Sequence, residues 1–583
     1  MCDDPELAAQ LSIALAVRGK YLPIMDMPRL ARGDAHAEVI RRTNAIVHSG
    51  CERLVLAGAT ETVKVSLMGH IHSSFIDVVD TLSDDSLNAA GIRLSKGAPI
   101  QANRATVGAG LLTALREKRQ IEFVNNAPEL RYVHPKLDHL VVCEDGKLLS
   151  QVIAANYAFS LGAGLLLIPS PSDDEVTQVS EAFYSAPYGE YGANSDQLEV
   201  LAKFLRARLG TIPLTGVRSI TFITSGLPWG FGFQELPTTH LFTSPDLGLT
   251  IIHGIAASID DSKPLRLAAM IDPGTVGISE VVKAGQSLVD RGTLVMAFRD
   301  RRANIQSVSL VLDLLPYDLL YIATHCGDVH GQRETHKFVD SSGVERTLVI
   351  DTALQINPTM RGGKFEVKAY ERFVSIDGVP WEDKERRLKV VGNALLDFFS
   401  VPLGERKPTS SENVERVVGS AALSMFDGNL LATPMNAGGN SYPFVINNAC
   451  VSWHELAARF MFGGCRGYIG TLVEVDDAEA EAVAMGILNR YMGRPLAHAL
   501  WSAQKDFTAV GFRRPYIMVG VHFQRLRTEF KPPHAYILQR MHENFDYWRN
   551  RLQQVGQGDD DSRLAISERV DFLRDCIDSF THR

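Results

Sequence analysis

The chain has 583 residues, 45% of them apolar and 22% charged, with a formal net charge of −9. That length exceeds one ordinary hydrophobic core and predicts roughly two to four domains. The acidic balance excludes nucleic-acid binding through a broad basic surface, and the most apolar short run, Leu161 to Pro169, is far too short to span a bilayer.

In chain order, the first half alternates apolar strand runs with amphipathic helices. Strands are expected at 53–57, 139–143, 164–168 and 219–224, and helices at 148–160 and 196–209. Breaks containing Pro, Ser and Gly separate them at 170–173 and 225–230. The polar, turn-rich stretch AASIDDSKP at 256–264 marks the main boundary, giving a first α/β domain over 1–258 and a second over 259–530. The second begins with a strand at 265–271, a Pro273-Gly274 turn, a helix at 277–290, a strand at 293–298, a short helix at 306–314 and a strand at 318–324. A long interval, about 332–442, reads as added hairpins. Strands at 444–447, 468–472 and 516–523 and helices at 453–462, 477–492 and 495–507 complete the pattern, and 531–583 reads as a charged helical tail. This order predicts an α/β fold with a mostly parallel sheet flanked by helices. A faint internal echo aligns the run after Cys143 with the run after Cys450 and suggests that the first half is a degenerate copy of the second.

The seven cysteines are odd in number and none forms a C-x-x-C pair, so no zinc or redox centre is read from spacing. The first residues, MCDDPE, lack the basic start and apolar core of a secretory signal. A reducing cytoplasm, where a lone thiol stays a thiol, is the expected compartment.

Ligands and catalytic groups gather at the carboxyl ends of strands in open parallel sheets. Two reactive residues fall at such ends. His325 follows the run DLLYIAT, and Cys450 follows PFVINNA and leads towards a helix whose dipole would favour a thiolate. A histidine on a neighbouring strand could take the thiol proton. The amides of Gly327 and Cys450 could form an oxyanion hole.

The block from FVINNAC through the Gly-rich turn GGCRG, the strand YIGTLVEVDD and the helix opening GRPLAHAL resembles the CHAT family of caspase- and separase-like cysteine peptidases. Upstream, YDLLYIATHCGDVHG resembles the family's strand with Thr-His-Gly, and the resemblance covers roughly residues 264 to 525. It implies a caspase-like sheet, Cys450 as nucleophile, His325 as general acid and base, and neither metal nor organic cofactor. It also implies a protein substrate and an activating sensor protein or complex, as in bacterial defence or cell death, with domain 1–258 regulatory or a pseudo-protease.

Cys326 intervenes between the histidine and Gly327, where the family places glycine directly, so His330-Gly331 stands as a second choice for the histidine. The inserted hairpins could form a substrate wall or an activation element. Asp476 and Asp477 could line a pocket for a basic residue or could cap the helix that follows, and capping is the stronger reading. Cys465 reads as packing, and His454 and His330 as surface or rim residues. Cys143 with His70 or His72 could be imagined as a second dyad, but Glu144-Asp145 would repel its thiolate. CGDVHGQ at 326–332 also looks like the first metal-binding motif of phosphoprotein phosphatases, with Asp328 and His330 as ligands, yet the partner motifs are missing after 332. The other rival is a caspase-like interaction module without activity.

Overall fold

The structure is a computed structural model that describes residues 1–28, 35–93, 97–186, 195–259, 264–276, 278–361, 364–507, 514–528, 534–556 and 559–581. Strands from both halves of the chain join in a single sheet of eleven. Its inner strands are near-continuous apolar runs buried on both faces, such as LAAMID at Leu267–Asp272 and HLVVCE at His139–Glu144. That is what parallel strands covered by helices require. No helix among the described residues is long and apolar enough to cross a membrane.

In the second half, Leu294–Arg299, Leu267–Asp272, Leu319–Ile322, Phe444–Asn447 and Gly467–Thr471 lie side by side and parallel. The first half repeats this order with Gly164–Ile168, His139–Glu144, Ser219–Thr224 and Thr238–Phe242, again all parallel. Numbered within each half in chain order, the first four strands lie 2-1-3-4 both times. The strand order is thus the same in both halves, in a different phase from the sequence echo. The Cys143 strand corresponds to Leu267–Asp272, and Thr238–Phe242 corresponds to the strand before Cys450. Strand–helix–strand units look alike locally, and only lateral order separates them.

Tyr516–Gly520 runs antiparallel to Gly467–Thr471 and parallel to Thr238–Phe242, so the two halves point in opposite directions and their carboxyl ends lie on opposite edges. Where the second half has Thr324-His325, the first has Thr224-Ser225. There the buried Glu144 carboxylate accepts from Thr224 Oγ1 at 2.7 Å, Ser225 N at 2.7 Å and Trp229 Nε1 at 2.8 Å. Cys143 is fully buried, which pushes its thiol up, so it is a core residue.

Three differences from the sequence reading have simple causes. The turn-rich stretch starting at 256 opens inside a helix, Leu247–Ile259, whose apolar residues hide its end. The strand Thr238–Phe242, short and rich in threonine, escaped notice. The helix expected over 477–492 stops at Met485 and continues as a single π-turn, Gly486–Arg490. The inserted segment forms a five-stranded antiparallel sheet built on the long hairpin Glu345–Arg361 and Lys364–Ile376. The tail forms the paired helices His534–Gln554 and Asp560–Thr581.

The seam between halves is closed largely by side chains. Thr239 Oγ1 donates to Gly520 O at 2.7 Å, His240 Nδ1 donates to Met518 O at 3.2 Å, and His240 Nε2 accepts from Gly230 N at 3.0 Å. Trp453, fully buried, packs its ring against His240 and Phe242. Burial lowers His240 and His253 to about 4, so both fold neutral. Since the unfolded chain takes up these protons first, stability is complete above the ordinary histidine range. It should fall as pH drops from about 6.5 to about 4, by about 1.4 kcal/mol per pH unit for each histidine. Urea denaturation across that window should show the slope, and His240→Gln should reduce it by one proton.

Candidate active site

The strands that carry the two reactive residues are neighbours. Leu319–Ile322 pairs in parallel with Phe444–Asn447, with Ile322 opposite Asn447, and Asn448 N extends the ladder to Ile322 O at 2.9 Å. His325 and Cys450 each follow their last paired residue by three positions. Both residues therefore lie just past the carboxyl ends of adjacent parallel strands.

The cysteine turn is pinned on both faces. Asn447 points to one side, where its Nδ2 donates to Tyr468 Oη at 2.9 Å and its Oδ1 accepts from Ala449 N at 3.0 Å. Tyr468 Oη donates to Ser452 O at 2.7 Å, and Thr471 Oγ1 donates to Ala449 O at 2.9 Å. Asn448 points to the other side, where its Nδ2 donates to Glu280 Oε1 at 2.7 Å, Tyr321 Oη at 2.9 Å and Ala480 O at 3.2 Å. Burial raises the Glu280 carboxyl, and Tyr321 Oη donates to it. Sequence reading valued Asn447-Asn448 only as part of a motif; strand alternation explains why two asparagines in succession serve two separate networks.

Cys450 is half-buried, and its Sγ lies 3.7 Å from Val475 O. Val451 follows with φ of +49°, a left-handed conformation that is strained for a β-branched residue. The helix begins only at His454, so three residues separate it from the thiol. The expected help from its dipole, which fades within a turn, is correspondingly reduced.

His325 is exposed, and its Nε2 lies 3.1 Å from Thr275 O. A carbonyl only accepts, so Nε2 carries the proton and Nδ1 of the neutral ring keeps its lone pair. Thr275 was missed in the sequence. It lies in the Pro273-Gly274 turn after Leu267–Asp272, and strand 1 next to strand 3 was its only signal. Cys326 and Gly327 form a two-residue strand against Ala422 and Leu423. Burial above all, then Asp328, raises the Cys326 thiol, and Cys450 is near enough to raise it further. A side chain at Gly327 would meet the Tyr184 hydroxyl, 3.2 Å from its Cβ.

His330 is exposed beyond the strand end. Both oxygens of Asp328 are engaged, Oδ2 by Arg416 Nε at 2.9 Å and Oδ1 by Ala421 N at 3.0 Å. A carboxylate held in this way braces the inserted segment. Among the described residues no three His, Cys, Asp or Glu side chains converge as metal ligands. Asp476 caps the helix Asp477–Met485, accepting from Glu479 N at 2.6 Å, and Asp477 is exposed in its first turn. Cys465 is buried packing. His454, read as a surface or rim residue, is half-buried on the wall of a cavity, with its Nε2 buried and unbonded, and burial lowers it to about 4.

The clamp predicts that Asn447→Ala, which leaves the Ala449 amide without its acceptor and removes a donor to the Tyr468 hydroxyl, should cost roughly 1–3 kcal/mol in urea denaturation.

No family model and no curated protein matches the chain. Among solved structures, the separase–securin complex of Saccharomyces cerevisiae is similar with a TM-score of 0.25 and 9% identity, over 64% of this chain and 19% of that chain. The chain thus spans about 19% of the separase-complex chain that it matches. The likeness is distant and assigns no residue.

Proposed function

We propose that the protein is a cysteine endopeptidase in which Cys450 is the nucleophile and His325 the general acid and base. The observation that supports this reading is that His325 and Cys450 each follow by three residues the last paired residue of adjacent parallel strands, with His325 Nε2 against Thr275 O. His325 Nδ1 takes the thiol proton as Sγ bonds to the peptide carbonyl carbon. The tetrahedral oxyanion is met by backbone amides, for which Gly327 and Cys450 are the candidates. When the carbon–nitrogen bond breaks, the proton on His325 passes to the leaving amine. Water, deprotonated by the same imidazole, then hydrolyses the thioester and returns the thiol.

This reading includes a cytoplasmic, latent enzyme released by a sensor protein, with a protein substrate, as in defence or cell-death signalling. The inserted hairpin supports a partner, because Leu354, Ile356, Phe365 and Val367 are all exposed on it and clustered apolar surface marks interaction sites. Asp476 and Asp477, beside Val475, remain candidates for a pocket wall on the Cys450 side. The alternative of an inactive interaction module draws on Cys326, which displaces the glycine by one residue.

The test is proteome-wide identification of cleavage sites with wild type, Cys450→Ala and His325→Ala. Cys450→Ala should abolish cleavage and labelling by an electrophilic peptide probe. His325→Ala should lower kcat/KM by about 10²–10⁴-fold, the usual weight of a general base. Labelling that survives in Cys450→Ala would overturn the assignment.

A further inference from the structure

The helix Asp173–Tyr184 belongs to the first half of the chain, yet it reaches the turn that follows His325. Phe183 is fully buried and meets the Phe231 ring edge-on at 5.0 Å, which anchors the end of the helix in the core. Val176, Thr177, Ser180, Glu181 and Tyr184 recur at helical spacing along one face. All five line a cavity of about 220 Å³ that Gly327 and Val451 also line.

Tyr184 ends this stripe. Its hydroxyl accepts from Asp328 N at 3.0 Å, and the Arg416 guanidinium lies 3.7 Å from the centre of its ring. Arg416 in turn donates to both Glu181 oxygens at 2.7 Å and to Asp328 Oδ2 at 2.9 Å. The first half therefore grips Asp328 twice, once by its amide and once through its carboxylate. The insert supplies further holds. Val329 N donates to Ser420 Oγ at 2.9 Å, Ala421 N donates to Asp328 Oδ1 at 3.0 Å, and Cys326-Gly327 pairs with Ala422-Leu423. A peptide unit is planar, so the bond to the Asp328 N–H sets the plane that joins Asp328 to Gly327. Glycine has the freest backbone of any residue, and its order here has to come from outside. The same hydroxyl stands 3.2 Å from where a Cβ on Gly327 would lie, an approach that a larger residue would crowd.

We propose that Tyr184 is a positioning residue for the peptidase reaction, supplied by the first half, whose hydroxyl holds the Gly327–Asp328 peptide in place beside the reactive pair. The proposal rests on the peptidase reading for the reaction that it serves. Tyr184 acts through the backbone after His325 and not on Cys450 itself. Without its hydroxyl the Gly327 backbone, a candidate for meeting the tetrahedral oxyanion, samples other orientations. The loss then falls on the transition state and spares substrate binding.

The test is Tyr184→Phe, which keeps the ring against Arg416 and removes only the hydroxyl. With a peptide spanning a mapped cleavage site, kcat should fall about three- to tenfold, the weight of one hydrogen bond, while KM stays within about twofold. Alkylation of Cys450 by iodoacetamide, which forms no oxyanion, should keep its wild-type rate. Gly327→Ala should also lower kcat, and should cost less in the Tyr184→Phe background, where the hydroxyl that its Cβ would meet is gone. An unchanged kcat in Tyr184→Phe refutes the positioning role. So does a kcat that falls together with the alkylation rate, or a Gly327→Ala cost that is the same in both backgrounds. Absence of Cys450-dependent cleavage by the wild type sinks the peptidase reading and the positioning role with it, whereas cleavage indifferent to Tyr184→Phe sinks the positioning role alone.

Discussion

Everything at the candidate site depends on one backbone pairing, Ile322 opposite Asn447. The two strands are far apart in sequence, and the chain between them leaves the sheet and builds two more, one of three strands and one of five. Loop-closure entropy grows only logarithmically with length, so such an insertion costs the pairing little once it folds on itself. A slip of one residue would be ruinous by comparison. It would turn Asn447 and Asn448 to each other's faces.

The protein guards that register with polar groups as well as apolar burial. Tyr468, Ser452 and Thr471 hold the turn from one face, and Glu280, Tyr321 and Ala480 hold it from the other. Networks of this kind specify one geometry, because any other arrangement strands a buried donor or acceptor. The strain at Val451 sits at the end of this clamp, where the chain must bend at once after Cys450.

Much of this could be read from the sequence. The runs at 164–168, 219–224 and 444–447 are apolar and bounded by turn residues, and all three are strands with those limits. His325 and Cys450 could be placed at strand ends because each ends an apolar run. What escaped the sequence was lateral order. The phase of the internal repeat, the approach of Thr275 to His325 and the meeting of Glu181 with Arg416 all depend on which strand lies beside which, and local patterns do not carry that.

The wall that Arg416 holds together draws on both halves of the chain, since Glu181 and Tyr184 come from the first and Asp328 from the second. A molecule whose first half is unfolded would lack this wall. Its arginine would be left without two of its three acceptor bonds. Completion of this wall thus depends on both halves of the chain being folded.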